Sequence, residues 1–132
     1  MAGIEINNFE ILEFEVPKEK LGFNINIKFN IRNESNEISC STIFEYLHAD
    51  TKLISLESTL YFKIKSEDWE MLKDGNKLIF KKEFLAHLAM NAVGTGRGIF
   101  YAKTENTKFR NFPIPLINIL KMITEDEEFE VK

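Results

Sequence analysis

This sequence has little of what usually announces a chemistry. Cysteine occurs once, at Cys40, so no intramolecular disulfide can form. The β-like surroundings of Cys40 suit a small apolar strand residue better than a reactive thiol. Histidine occurs twice, at His48 and His87, far apart and in unlike contexts. No His/Cys/Asp spacing suits a metal, and no metal or other cofactor is expected. Three prolines and six glycines are too few for a low-complexity chain. No apolar run reaches the roughly 18–20 residues of a membrane-spanning helix, and the best candidate is broken by His87, Asn91 and Arg97. Met1 to Asn8 holds no basic region followed by an apolar run, so no signal peptide is expected. Cationic charge is also short: 17 Lys and Arg against 21 Asp and Glu leave a net charge of −4. That balance argues against nucleic acid and an anionic membrane surface as partners, and the lack of a long apolar run against membrane insertion. The expected location is cytoplasmic.

What is present is a folding composition, 44% apolar and 29% charged, with twelve phenylalanines in 132 residues. That length suits one domain, expected over residues 1–124, with an acidic, solvated tail over 125–132. From Phe23 to Arg32, apolar Phe23, Ile25, Ile27, Phe29 and Ile31 alternate strictly with polar residues. Period two means a strand with one buried and one wet face. Weaker alternation predicts strands over 8–16, 37–47 and 52–64, the first with a bulge near Ile11-Leu12. Short links between successive strands predict a four-stranded antiparallel meander. Ser66 to Gly75 reads as a compact helical turn, with Ser66 as N-cap and Gly75 as its stop. Trp69 is expected to staple that turn onto the sheet edge.

A long helix follows, predicted from Lys81 to Ala102. Its polar residues Glu83, His87, Asn91 and Thr95 form one narrow stripe, and nearly every other face is apolar. Three glycines lie inside it, each costing about 0.8–1 kcal/mol relative to alanine. Gly94-Thr95-Gly96-Arg97-Gly98 is not a dinucleotide fingerprint: the spacing is wrong, and helix rather than strand precedes it. Packing explains the glycines better. Ala86, Met90, Gly94, Gly98 and Ala102 share one i, i+4 row of mostly small residues, which suits a close-packed oligomer interface. Beyond the helix, the prolines of Phe109 to Ile119 favour an extended apolar segment. The expected fold is α+β, a four-stranded antiparallel sheet followed by a long helix packed on it. Glu10, Glu13 and Glu15 form a solvated acidic face rather than paired acid/base groups. No catalytic constellation is present, and an enzyme is not expected.

An apolar helix bearing Arg97, followed about eighteen residues on by Pro115-Leu116-Ile117-Asn118-Ile119, resembles the SecB-type protein-export chaperones. The strands before the helix agree with that family's fold. The resemblance implies a homotetramer, a dimer of dimers. It implies ATP-independent binding of unfolded, export-bound polypeptide clients in hydrophobic grooves, with handover to the SecA motor. It makes Leu21, Phe23, Phe109, Phe112, Ile114 and Leu116 candidate groove residues, and Glu10, Glu13, Glu15 and Glu57 a candidate SecA-docking face. The sequence departs from the family in a short connection over 17–22, in the helix glycines, and in a last helix reduced to about 119–124. A narrower role beside a toxin–antitoxin pair fits the same features. The alternative from another class is a small α+β domain that holds an apolar small molecule between sheet and helix.

Overall fold

The alternating stretch that starts at Phe23 forms an edge strand. The computed structural model of this chain describes residues 3–11, 22–48, 51–107 and 114–131. Within them, β1 (Gly3–Ile11), β2 (Gly22–Arg32), β3 (Glu37–His48) and β4 (Thr51–Lys63) make one antiparallel sheet. A short 3-10 turn, Asn33–Ser35, followed by Asn36 in the left-handed region at φ 54°, reverses the chain between β2 and β3. Asparagine tolerates that conformation better than most residues.

The strand order is β1-β4-β3-β2, so the expected meander holds only for β2, β3 and β4. β1 lies beside β4, at the opposite edge from β2, and the link between them is a crossover. This is a Greek-key arrangement. β1 also begins earlier than expected. Ile4 and Ile6 alternate with Glu5 and Asn7, and the register shifts between Ile6 and Asn8. That irregularity lets Ile4, Ile6, Phe9 and Ile11 all face one way despite their change of parity. The bulge expected near Ile11-Leu12 extends outside the described residues, and so do positions 12–16 of the strand expected over 8–16. Across the sheet, Ile11, Ile54, Tyr46 and Phe23 form one row, Phe9, Leu56, Phe44 and Ile25 the next.

The helix α2 (Lys82–Thr104) lies over β3 and β4 on that apolar face. Ala89, Ala92, Val93 and Phe100 are buried with Phe44, Leu56 and Leu60, Gly96 closes on Phe44, and Leu85 and Leu88 are buried with Ile38, Leu78 and Phe80. Burying one such large side chain contributes roughly 1.5–3 kcal/mol. α2 ends two residues later than expected; Thr104 is buried and its Oγ1 donates to the Phe100 carbonyl at 2.8 Å.

A second, three-stranded sheet was not foreseen. α1 (Ser66–Met71) is followed by β5 (Lys73–Asp74), β6 (Lys77–Phe80) and, far downstream, β7 (Glu127–Glu130). Ser66 is the first helical residue and not the cap, a place held by Lys65. Gly75 stops no helix: at φ +65° it turns the two-residue loop between β5 and β6. The acidic end is not a free tail, because Glu127 to Glu130 pair with Phe80 to Lys77. Phe129 supplies the apolar anchor, its ring edge-on to Phe80 with centroids 5.7 Å apart. Asp126 caps α2 from a distance in sequence, accepting from Lys82 N at 2.8 Å. That hydrogen bond, aided by Lys81, holds the Asp126 carboxyl below the usual carboxylate range. Trp69, expected to staple α1 onto the sheet edge, is buried against Phe80, and its Nε1 donates to Asn33 Oδ1 in the β2–β3 turn at 2.8 Å.

Candidate functional site

One helix cannot cover four strands. Because α2 sits over the two central strands, the inward side chains of edge strand β1 remain partly open: Ile4 is 49% and Ile6 45% exposed. Nothing in the strand alternation distinguishes a covered edge from an open one, so these residues were missed. The signal lay in the count of elements, one helix to four strands.

The outward side of α2 is the second open surface. Met90, Gly94, Gly98 and Ala102, four of the five residues of the expected row, lie there with Phe84, His87, Asn91 and Tyr101. Ala86, the fifth, is buried in the chain's own core and so cannot belong to the expected interface row. A Cβ built on Gly94 or Gly98 would meet nothing within 4 Å, so neither glycine serves close approach within the protomer. Gly96 does, against Phe44. From His87 to Ala102 the only charged side chain is Arg97. It turns sideways, Nη1 donating to the Ile114 carbonyl and Nη2 to the Pro115 carbonyl, each at 3.3 Å. The Arg97-to-Pro115 spacing therefore corresponds to a contact that fixes Ile114 and Pro115 of the proline segment beside α2.

That segment continues the open surface. Ile114 is buried, Leu116 is 96% exposed, and Ile119 is buried again at the start of α3 (Ile119–Met122). Asn118 caps α3, its Oδ1 accepting from Lys121 N at 3.3 Å. Leu120 is also exposed. Of the expected groove residues, Leu21, Phe109 and Phe112 lie outside the described residues. Phe23 is half-buried, its ring 5.1 Å from that of Tyr46 and 6.1 Å from that of Phe44. Leu116 is thus the described groove candidate with the most open surface.

The polar face of the sheet gathers acid at one end. Glu10 is opposite Ser55, which is opposite Glu45, and Glu57 stands in the next row of the same face. Glu13 and Glu15 lie outside the described residues. Glu45 joins the cluster unforeseen, and Lys52 Nζ meets its Oε2 at 2.7 Å. That hydrogen bond, with the charges of Glu45 and Glu10, raises the Lys52 ammonium above its ordinary range. The other end of this face is mixed in charge: Lys28, Arg32 and Lys63 stand there with Glu5 and Glu37.

A cavity of about 470 Å³ opens between the end of β4, α1 and the start of α2. Phe62, Ile64, Leu72, Phe84 and Leu88 line it, with Lys63, Lys65 and Asp68. Among the described residues, no group of three or more His, Cys, Asp and Glu is placed to hold a metal, and no helix is long and apolar enough to cross a membrane. Burial in the sheet–helix layer, with a smaller effect of Glu127, pushes the Cys40 thiol up to about 12.

These features define an α+β chain in which a long helix packs on a four-stranded antiparallel sheet, with open apolar surface along the edge strand β1 and along the outer side of α2. No protein-family model, curated protein or solved structure matches the chain.

Proposed function

We propose that this chain is a SecB-like, ATP-independent holdase that binds unfolded or export-bound polypeptides through hydrophobic grooves and works as a cytoplasmic homo-oligomer. The observation that carries the proposal is the uncovered apolar surface around α2: Met90, Tyr101, Leu116 and Leu120 are exposed on or beside it, and Ile4 and Ile6 on the adjoining strand. Patches of this kind mark interaction surfaces. A dimer of dimers needs two different self-complementary surfaces. The outer side of α2, with its glycines, suits one, and the β1 edge suits the other. Clients would then be held along the proline segment, where Leu116 stands free and Arg97 fixes the backbone. No step of this activity calls for a catalytic residue. The acidic cluster of Glu10, Glu45 and Glu57 supplies a face for a basic partner such as SecA. The test is suppression of aggregation of a chemically denatured client without nucleotide, together with the mass in solution by light scattering. A stable monomer at micromolar concentration would sink the proposal.

The cavity beside Phe84 favours a second reading, a small apolar ligand. That ligand would sit between α1, β4 and α2 rather than in the sheet–helix layer, where Gly96 already closes on Phe44. Extraction of the purified protein followed by mass spectrometry checks it. Recovery of no apolar compound, with no gain of thermal stability from added alkyl ligands, would exclude it.

A further inference from the structure

Four consecutive acids, Glu125 to Glu128, lead into and occupy β7, and the last three are not served alike. Asp126 accepts from Lys82 N at 2.8 Å and faces Lys81 Nζ at 3.5 Å. Glu128 pairs with Lys77 Nζ at 3.3 Å. Glu127 has neither. Its Oε2 is shut off from solvent and has no hydrogen-bond partner. What faces it is neutral: Phe80 stands opposite on β6, and the Cys40 thiol of β3 lies close enough for Glu127 to oppose its ionisation. Of the cations on the neighbouring elements, Lys77 on β6 meets Glu128 and Lys81 before α2 meets Asp126, while Lys82 gives Asp126 its backbone N–H. The one charged residue of α3, Lys121, is exposed. A carboxylate with a buried oxygen and no donor carries a desolvation cost that its protonated form does not.

The strand that carries this cost is also a cover. β7 lies along β6, Val131 N donates to the Asn76 carbonyl at 2.7 Å, and Phe129 packs edge-on to Phe80. Beneath it are Leu78, Phe80, Trp69 and Leu85, a buried apolar cluster. We propose that β7 is a pH-sensitive strap, docked most firmly when Glu127 is protonated and loosened when it ionises, so that its release uncovers Leu78 and Phe80.

The sign follows from the docked state. Burial raises the Glu127 carboxyl above the ordinary glutamate value when β7 is docked. Release returns it to that value. Docking is therefore strongest below the ordinary glutamate value, weakens as pH rises through the raised one, and is constant above it. The inference does not depend on the chaperone proposal, because it concerns only β7 and the cluster beneath it.

Hydrogen exchange tests it, read as protection factors so that the intrinsic pH dependence of exchange cancels. Amides of Glu128 to Val131 are compared in the native chain and in Glu127→Gln, from about pH 4, below the ordinary glutamate value, to about pH 8. Native protection is expected to fall several-fold across this range. Glu127→Gln, which keeps the shape without the charge, is expected to hold one high value throughout. The same fall in the variant, or native protection that rises with pH, would overturn the strap. So would a matching fall at the β3 amides around Cys40, since the effect would then be global.

Discussion

A Cβ placed on Gly96 would stand 2.7 Å from Phe44 Cε2 and 3.1 Å from its Cζ. Phe44 is fully buried, between the Phe23 ring and α2, so its ring has little freedom to give way. Gly96→Ala should therefore destabilise. Overpacking typically costs about 1–3 kcal/mol, against about 1 kcal/mol regained in helix propensity. The net loss expected is up to about 2 kcal/mol, read from denaturant midpoints. Gly94→Ala is the internal control: with open space around its Cβ it should gain up to about 1 kcal/mol in the single chain.

The same open space separates folding from assembly. Gly94→Leu and Gly98→Leu add bulk that nothing in the protomer meets. Each should leave the protomer folded, with unchanged far-ultraviolet circular dichroism, while lowering the mass in solution if the outer side of α2 is an interface. Light scattering with size exclusion is the check. An unchanged mass in both variants would move the interface away from this row.

How much of this was legible follows from where the information sits. The α+β class, β2, β3, β4 and α2 could be read from periodicity, because in each the buried side recurs at a fixed interval. The position of β1 could not, since partner choice depends on which edge is free, and a sequence does not state that. β7 was misread because Glu127, Glu128 and Glu130 hide a single anchoring residue, Phe129, whose partners lie some fifty residues earlier on β6. The glycines show the same limit. Spacing put Gly94 and Gly98 on one row but could not say which side of α2 meets the sheet, and that role fell to Gly96.

Trp69 is tied to the β2–β3 turn through Asn33 Oδ1 and to the small sheet through Phe80. Trp69→Phe removes the hydrogen bond and some volume, and should cost about 1–3 kcal/mol. Asn33→Ala removes the acceptor and leaves the indole nitrogen unpaired in a buried setting, for a similar cost. Because Trp69 is the only tryptophan, its emission follows the unfolding of Asn33→Ala directly, while Trp69→Phe is followed by circular dichroism.

Arg97 holds two successive carbonyls, those of Ile114 and Pro115, with one guanidinium. Lysine offers a point charge in place of that fork. Arg97→Lys should therefore leave α2 intact but loosen residues 114–118, with faster hydrogen exchange there. Holdase activity should fall with it, if the segment is the groove wall. Unchanged exchange at 114–118 would mean that packing of Ile114 alone holds the segment.

Cys40 supplies the alkaline prediction. Burial pushes its thiol from the ordinary 9.0 up to about 12 in the folded chain. Near pH 8 the thiolate is then about a thousandfold scarcer than in the unfolded chain, so a disulfide reagent should label Cys40 only as fast as the protein opens. The stability consequence has a definite sign, because the unfolded chain loses this proton first. Below pH 9.0 the shift costs nothing; from there to about pH 12, stability falls by about 1.4 kcal/mol per pH unit from this group. Other groups titrate in that range, Tyr46 among them, its phenol raised by burial. The measurement is therefore a difference: unfolding free energy against pH for the native chain and for Cys40→Ala. The variant should show the shallower alkaline slope. Equal slopes would mean that the thiol reaches solvent without unfolding, contrary to its place beneath α2.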